Sequence, residues 1–200
     1  MFYEPRSGHG LPHDPFKAII TPRPIGWIST VDEQGRCNLA PYSFFNGISA
    51  DPPMVAFSSE GLKDTVRNIK ATGEFVYNLA TAALADQINR SSAPVGPEVD
   101  EFTLAGLTPA PSRIVRPPRV AQTPAALECK VMQVIALHDL DGKDTQRHLT
   151  LGQVVGVHID DAYLNDGFFD TARAEPLARC GYRDYASVTT LFQMTRPGER

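Results

Sequence analysis

The chain is poor in the features that most often announce a function. Its three cysteines, Cys37, Cys129 and Cys180, are odd in number and far apart. With no CxxC pair they offer neither a disulfide framework nor a zinc cluster, and they fit a reducing compartment. No apolar run approaches a bilayer span; stretches such as Val154-Val155-Gly156-Val157 are far too short. The first twenty residues have no basic segment leading into an apolar one, so no signal peptide is read there, and a cytoplasmic location is expected. There is no excess of positive charge either. The formal net charge is −4, which removes any general pull toward nucleic acid or an anionic membrane surface. No GxSxG elbow, Walker loop or GxGxxG fingerprint occurs.

What is present is a chain of 200 residues, 42% hydrophobic, enough for one domain with a sizeable core. Seventeen prolines and fifteen glycines cut it into short pieces. Residues 1–24 read as an N-terminal arm, and 25–200 as a single domain. Ile25 to Val31 is rich in β-formers, and Asp32-Glu33-Gln34-Gly35 is a turn signal. A second strand from Cys37 to Phe45 completes a hairpin. Pro41 within it calls for an edge, a bulge or a break. Met54 to Ser58 is a third strand. Asp64 is placed as the N-cap of a helix that Gly73 ends, Glu74 to Leu79 returns as a strand, and Thr81 caps a second helix to about Asn89. Residues 90–124 read as a long irregular loop, a sign of function or of an interface. Ala126–His138 and His148–Asp160 form strong strands around the turn Asp141-Gly142-Lys143-Asp144, and Thr189–Thr195 is a last strand. Short strands in hairpin order with a few helices predict a mainly β fold, an antiparallel barrel with helical insertions.

Three places can carry chemistry. Lys63-Asp64-Thr65 opens a helix just after the strand ending in Ser58 and Ser59. Free N–H groups, the helix dipole, and donors from Lys63, Thr65 and Arg67 make a phosphate cradle, unless this is an ordinary capped helix. Ala40-Pro41-Tyr42-Ser43 offers a backbone edge with little side-chain bulk, as a flat ring needs, or merely a strand kinked by proline. Trp27, the one tryptophan, either walls such a slot or fills the core. The histidines are less informative. His9 and His13 are separated by Gly10 and Pro12, and His138, His148 and His158 lack cysteine or clustered carboxylate partners, so no metal site is expected. His148, following a charged turn, either lines a cleft or lies on the surface.

Taken in order, these segments resemble the flavin reductase-like family of FMN-binding split-barrel proteins. The resemblance runs from about Phe16 to Thr195. It rests on Arg23-Pro-Ile-Gly-Trp-Ile-Ser-Thr30, Asn38-Leu-Ala-Pro-Tyr-Ser-Phe-Phe-Asn46, Asp51-Pro-Pro53, Lys63-Asp-Thr65 with Asn68, and Glu74-Phe-Val-Tyr-Asn-Leu79. It implies a Greek-key split β-barrel working as a homodimer, with FMN in a groove near the subunit interface. Carried over, Trp27, Ser29 and Thr30 border the flavin. Asn38, Ala40, Pro41, Tyr42 and Ser43 contact the ring, and Ser58, Ser59, Lys63 and Thr65 hold the phosphate. His148 falls on the nicotinamide side and is the one catalytic candidate. Two-component reductases often read Gly-Asp-His where this chain reads Gln146-Arg147-His148, and Gly-Gly where it reads Gly181-Tyr182.

The function implied is NAD(P)H-dependent reduction of flavin, or of a small acceptor, by hydride transfer to flavin N5. The alternatives are a non-catalytic FMN electron carrier reduced by a protein partner, and an FMN-dependent oxygenase acting on a small aromatic substrate. A redox or monooxygenase partner fits any of these; nucleic acid and membrane do not.

Overall fold

The computed structural model describes residues 1–198; Glu199 and Arg200, the end of the expected domain, lie outside the described residues. Seven strands carry the architecture: β1 (Gly26–Val31), β2 (Cys37–Tyr42), β3 (Phe45–Ala50), β4 (Pro53–Glu60), β5 (Glu74–Leu79), β6 (Ala125–His138) and β7 (Asp144–Ile159). They form one antiparallel sheet in the order β2-β1-β5-β6-β7-β4-β3. The two outermost strands, β2 and β3, follow each other in the chain with only Ser43-Phe44 between them. The sheet therefore curls until its edges meet at that corner, and this makes it a split barrel. Gly26 permits the closure, since a Cβ there would lie 2.5 Å from the Phe45 ring. Phe45 in turn stacks on Tyr77 at 4.6 Å, fastening the late edge strand across the barrel.

β1 reads as an unbroken buried run, not an alternating one, because both its faces are covered. Ile28 points inward to Tyr42, Val55, Phe57, Ile69 and Phe75. Trp27 points outward into a second cluster with Leu39, Ile88, Phe102, Leu107 and Val120. That outer cluster is roofed by the chain between β5 and β6, including helices α2 (Ala85–Arg90) and α3 (Glu101–Ala105). An earlier helix, α1 (Asp64–Thr72), packs Val66 and Ile69 against the sheet. Gly73 ends it in the left-handed conformation with φ 71°, the backbone state glycine adopts without penalty.

Several expectations are corrected in detail. The N-cap of α1 is Lys63, and Asp64 is its first residue. The loop 90–124 is not wholly irregular. Asp100 caps α3 by accepting the Phe102 N–H at 2.9 Å, and Pro109–Ala110 pairs with Arg119–Val120. Thr189–Thr195 is not a strand. It joins no ladder among the described residues, and Leu191, Phe192 and Met194 stand exposed. The last strand is the short Tyr185–Ser187, which joins Leu177–Arg179 and, through it, Arg23–Pro24.

Candidate functional site

A groove of about 360 Å³ opens along the free edge of β2, within the usual size range of small-molecule sites (roughly 300–1,000 Å³). One wall is Asn38, Ala40, Pro41 and Tyr42; the end is Lys63, Asp64 and Thr65 at the start of α1; the opposite wall is Ser91 to Val95, with Glu101 beside it. A second hollow of about 290 Å³ continues past Asn38, Asp64 and Glu101 toward Asp32, Arg36 and Arg67.

The backbone explains why this edge is open. The Leu39 N–H does not face β1; it donates to Glu101 Oε2 at 3.1 Å. In an antiparallel pair such outward-facing residues alternate, so Pro41 occupies the next outward position. Its missing N–H thus removes no bond from the sheet, which is why proline is tolerated there. The edge presents carbonyls and small side chains to whatever lies beside it.

The end of the groove is electropositive in its backbone. Helix α1 has no side-chain cap, so its first-turn N–H groups are left for an outside acceptor. Lys63 makes no ion pair among the described residues, whereas Asp64 is paired with Arg67. The helix start is fixed by a buried amide network. Asn38 Nδ2 donates to Thr65 Oγ1 at 2.8 Å and to Thr30 Oγ1 at 3.2 Å, and Asn68 Nδ2 donates to the same Thr30 oxygen at 3.0 Å. Thr30 thereby ties β1, β2 and α1 together. Burial pushes the Tyr42 hydroxyl above its ordinary range, while the adjacent Thr65 and Ser59 hydroxyls pull it back. Burial, with the Asp64 and Asp100 charges nearby, also raises the Glu101 carboxyl, against the Leu39 N–H and its own backbone N–H.

The site residues expected from the sequence fall into three groups. Asn38, Ala40, Pro41, Tyr42, Lys63 and Thr65 line the groove, and Ser43 lines a smaller hollow on the other side of Pro41. Trp27, Ser29 and Thr30 are wholly enclosed behind it. The Trp27 indole N–H donates to Ser91 Oγ at 3.0 Å, holding the facing wall in place, and Ser29 Oγ donates to the Pro118 carbonyl at 2.5 Å. Ser58, Ser59 and His148 lie on β4 and β7. The Ser58 N–H donates to the Phe44 carbonyl at 2.9 Å, Ser59 is buried behind Tyr42, and His148 sits directly opposite Ser59 in the strand register. His148 is not among the groove-lining residues. Sequence reasoning missed the wall Ser91–Val95 and Glu101. The only signal was the length of the 90–124 loop, which marks a region and not a residue.

Comparison with known proteins gives the family and the fold. Residues 19–177 match the flavin reductase like domain, and the chain belongs to the flavin reductase-like family. It is 36% identical over 183 residues to protein BH2278 of Halalkalibacterium halodurans, covering 89% of this chain and 87% of that protein. It is 34% identical over 184 residues to YwrF of Bacillus subtilis, covering 89% of each. Among solved structures it is similar to nitrilotriacetate monooxygenase component B from Bacillus cereus, with a TM-score of 0.87, 28% identity, and coverage of 97% and 98% of the two chains. Flavoredoxin of Desulfovibrio vulgaris shares the fold, with a TM-score of 0.78 at 24% identity and coverage of 88% and 92%.

Proposed function

We propose that the groove binds FMN and that the protein is a flavoprotein oxidoreductase drawing electrons from NAD(P)H. The observation that carries this reading is the pairing of a flat, side-chain-poor strand edge with an uncapped helix start bearing Lys63. A ring with a phosphate tail needs both, one at each end of the same groove. Bound FMN would supply a two-electron centre able to take hydride at N5. The chain's own residues then act by position. Ala40, Pro41 and Tyr42 would bracket the ring against Ser91–Val95, and the α1 N–H groups, Lys63 and Thr65 would hold the phosphate. Trp27, Ser29 and Thr30 would act from behind, keeping the walls at fixed spacing. No acid–base residue is required for hydride transfer; alignment and exclusion of water carry it. The exposed apolar side chains of the arm and tail support a homodimer with the groove near its interface. The likeness to a monooxygenase component supports delivery of electrons to a partner or small acceptor.

The absorbance spectrum of the purified protein, with the released cofactor identified, tests the first half. Colourless protein that takes up no FMN would overturn it. Steady-state oxidation of NADH and NADPH, with and without added flavin, tests the second. One observation favours an FMN electron carrier as the second reading: His148, the expected nicotinamide-side residue, stands away from the groove lining. His148→Ala should leave FMN affinity within about twofold, a bound contributing less than a single charge-assisted contact. A drop in nicotinamide-dependent rate alone would favour the reductase. A bound flavin inert to both nucleotides but reduced by a redox protein would favour the carrier.

A further inference from the structure

A further concavity, of about 350 Å³, lies where the ends of β6 and β7 meet the covering loop. It shares no lining residue with the flavin groove. Arg113 and Arg119 reach it from the loop, and His158 and Asp160 from the end of β7. Its framework is rigid. Glu128, wholly enclosed, accepts the N–H groups of Arg113, Ile114 and Val115 at 2.7, 2.6 and 2.9 Å and meets His158 Nε2 at 2.5 Å. Ser112 Oγ donates to the Pro117 carbonyl at 2.6 Å, and Arg119 is paired in the short ladder with Ala110. Both guanidiniums are thus carried on fixed backbone.

Their charges are unspent. Neither Arg113 nor Arg119 forms an ion pair among the described residues, and Arg119 Nε is enclosed with no acceptor. An oxyanion entering the hollow can pair with the guanidinium N–H groups that no carboxylate takes. The facing carboxylates are engaged elsewhere. Asp160 already accepts the Ala162 N–H, and Glu128 is held by the three loop N–H groups and His158. Two arginines bordering one hollow match the oxygens of a phosphate group, which a guanidinium can grip in two places. We propose that this hollow binds a phosphate group, free or as a small monoester, through Arg113 and Arg119.

The test titrates the purified protein with inorganic phosphate, and in a second arm with glycerol phosphate, against sodium chloride of equal ionic strength. Calorimetry and the thermal midpoint are read together. Saturable binding is expected to persist in Lys63→Ala, which removes the helix-start contact, and in that background to be weakened at least tenfold by Arg119→Gln and by Arg113→Gln, the loss of one charge-assisted contact each. Midpoints in chloride alone report the fold of each variant. Should Arg119→Gln fail to fold, Arg113→Gln carries the test, since the Arg113 guanidinium makes no hydrogen bond among the described residues. Phosphate that binds no better than chloride, or as well to the folded arginine variants as to the parent, overturns the proposal. Binding abolished by Lys63→Ala instead would assign the phosphate to the helix start and also overturn it.

Discussion

Glu101 beside the groove and Glu128 beneath the covering loop are both buried glutamates, yet their carboxyls move in opposite directions. Burial alone pushes each upward. Glu101 meets that push with the Leu39 N–H and its own backbone N–H, has the Asp64 and Asp100 charges against it, and ends raised. Glu128 meets it with three N–H groups and His158 and is held down at about 2. The balance of aimed donors against burial and neighbouring negative charge decides which way each carboxyl moves. Glu128 is a fixed anion organising a loop, whereas Glu101 is a reluctant one bordering the candidate groove.

The largest expected effect tests the Glu128 side. Glu128→Ala strips three N–H groups and His158 of their acceptor and should cost about 3–5 kcal/mol in chemical denaturation, the range for removing one partner of a buried charge pair. The pH dependence has a definite sign. A carboxyl held below its ordinary 4.5 stabilises fully above that value, and the contribution fades as pH falls toward about 2. Acid unfolding of Glu128→Gln should accordingly be shallower than that of the parent between those limits; identical profiles would show that the clamp is not ionised. Next in size, Lys63→Ala should weaken FMN binding about tenfold in fluorescence titration, from loss of a charge-assisted phosphate contact worth about 1.5 kcal/mol. Unchanged affinity would move the phosphate elsewhere. The smallest effect tests Glu101. Its raised carboxyl makes the ionised form a burden that grows as pH rises through the folded value. Glu101→Gln should therefore be neutral or stabilising by no more than about 1 kcal/mol at pH 8, since it keeps an acceptor for Leu39. A loss as large as that of Glu128→Ala would erase the contrast between the two.

What could be read from the sequence was local. Asp32 accepts the Gln34 and Arg36 N–H groups at 2.9 and 2.8 Å to make the turn its neighbours announce, and Gly73 ends α1 where a left-handed glycine should. Pro41 spoke for an edge, and β2 is one. The flavin-reductase motifs named the strand edge and the helix start. They did not separate residues that line the groove from those that hold its walls. Trp27, Ser29 and Thr30 look like contact residues by position in the chain, and only the packing of α1, α2, α3 and the covering loop encloses them. Glu101 and Glu128 carried no local mark, because each is defined by partners 62 and 13–30 residues away. Thr189–Thr195 failed for the opposite reason. Its β-forming residues are real, but a strand needs a neighbour, and propensity does not supply one.

The placement of Pro41 has a consequence for the molecule's company. An uncovered sheet border is a standing invitation to fibrils, since any passing extended chain can zip onto it. An imino acid at an outward position interrupts that zipper, and Glu101 already occupies the adjoining amide. The border refuses peptides while staying bare enough to receive a planar guest.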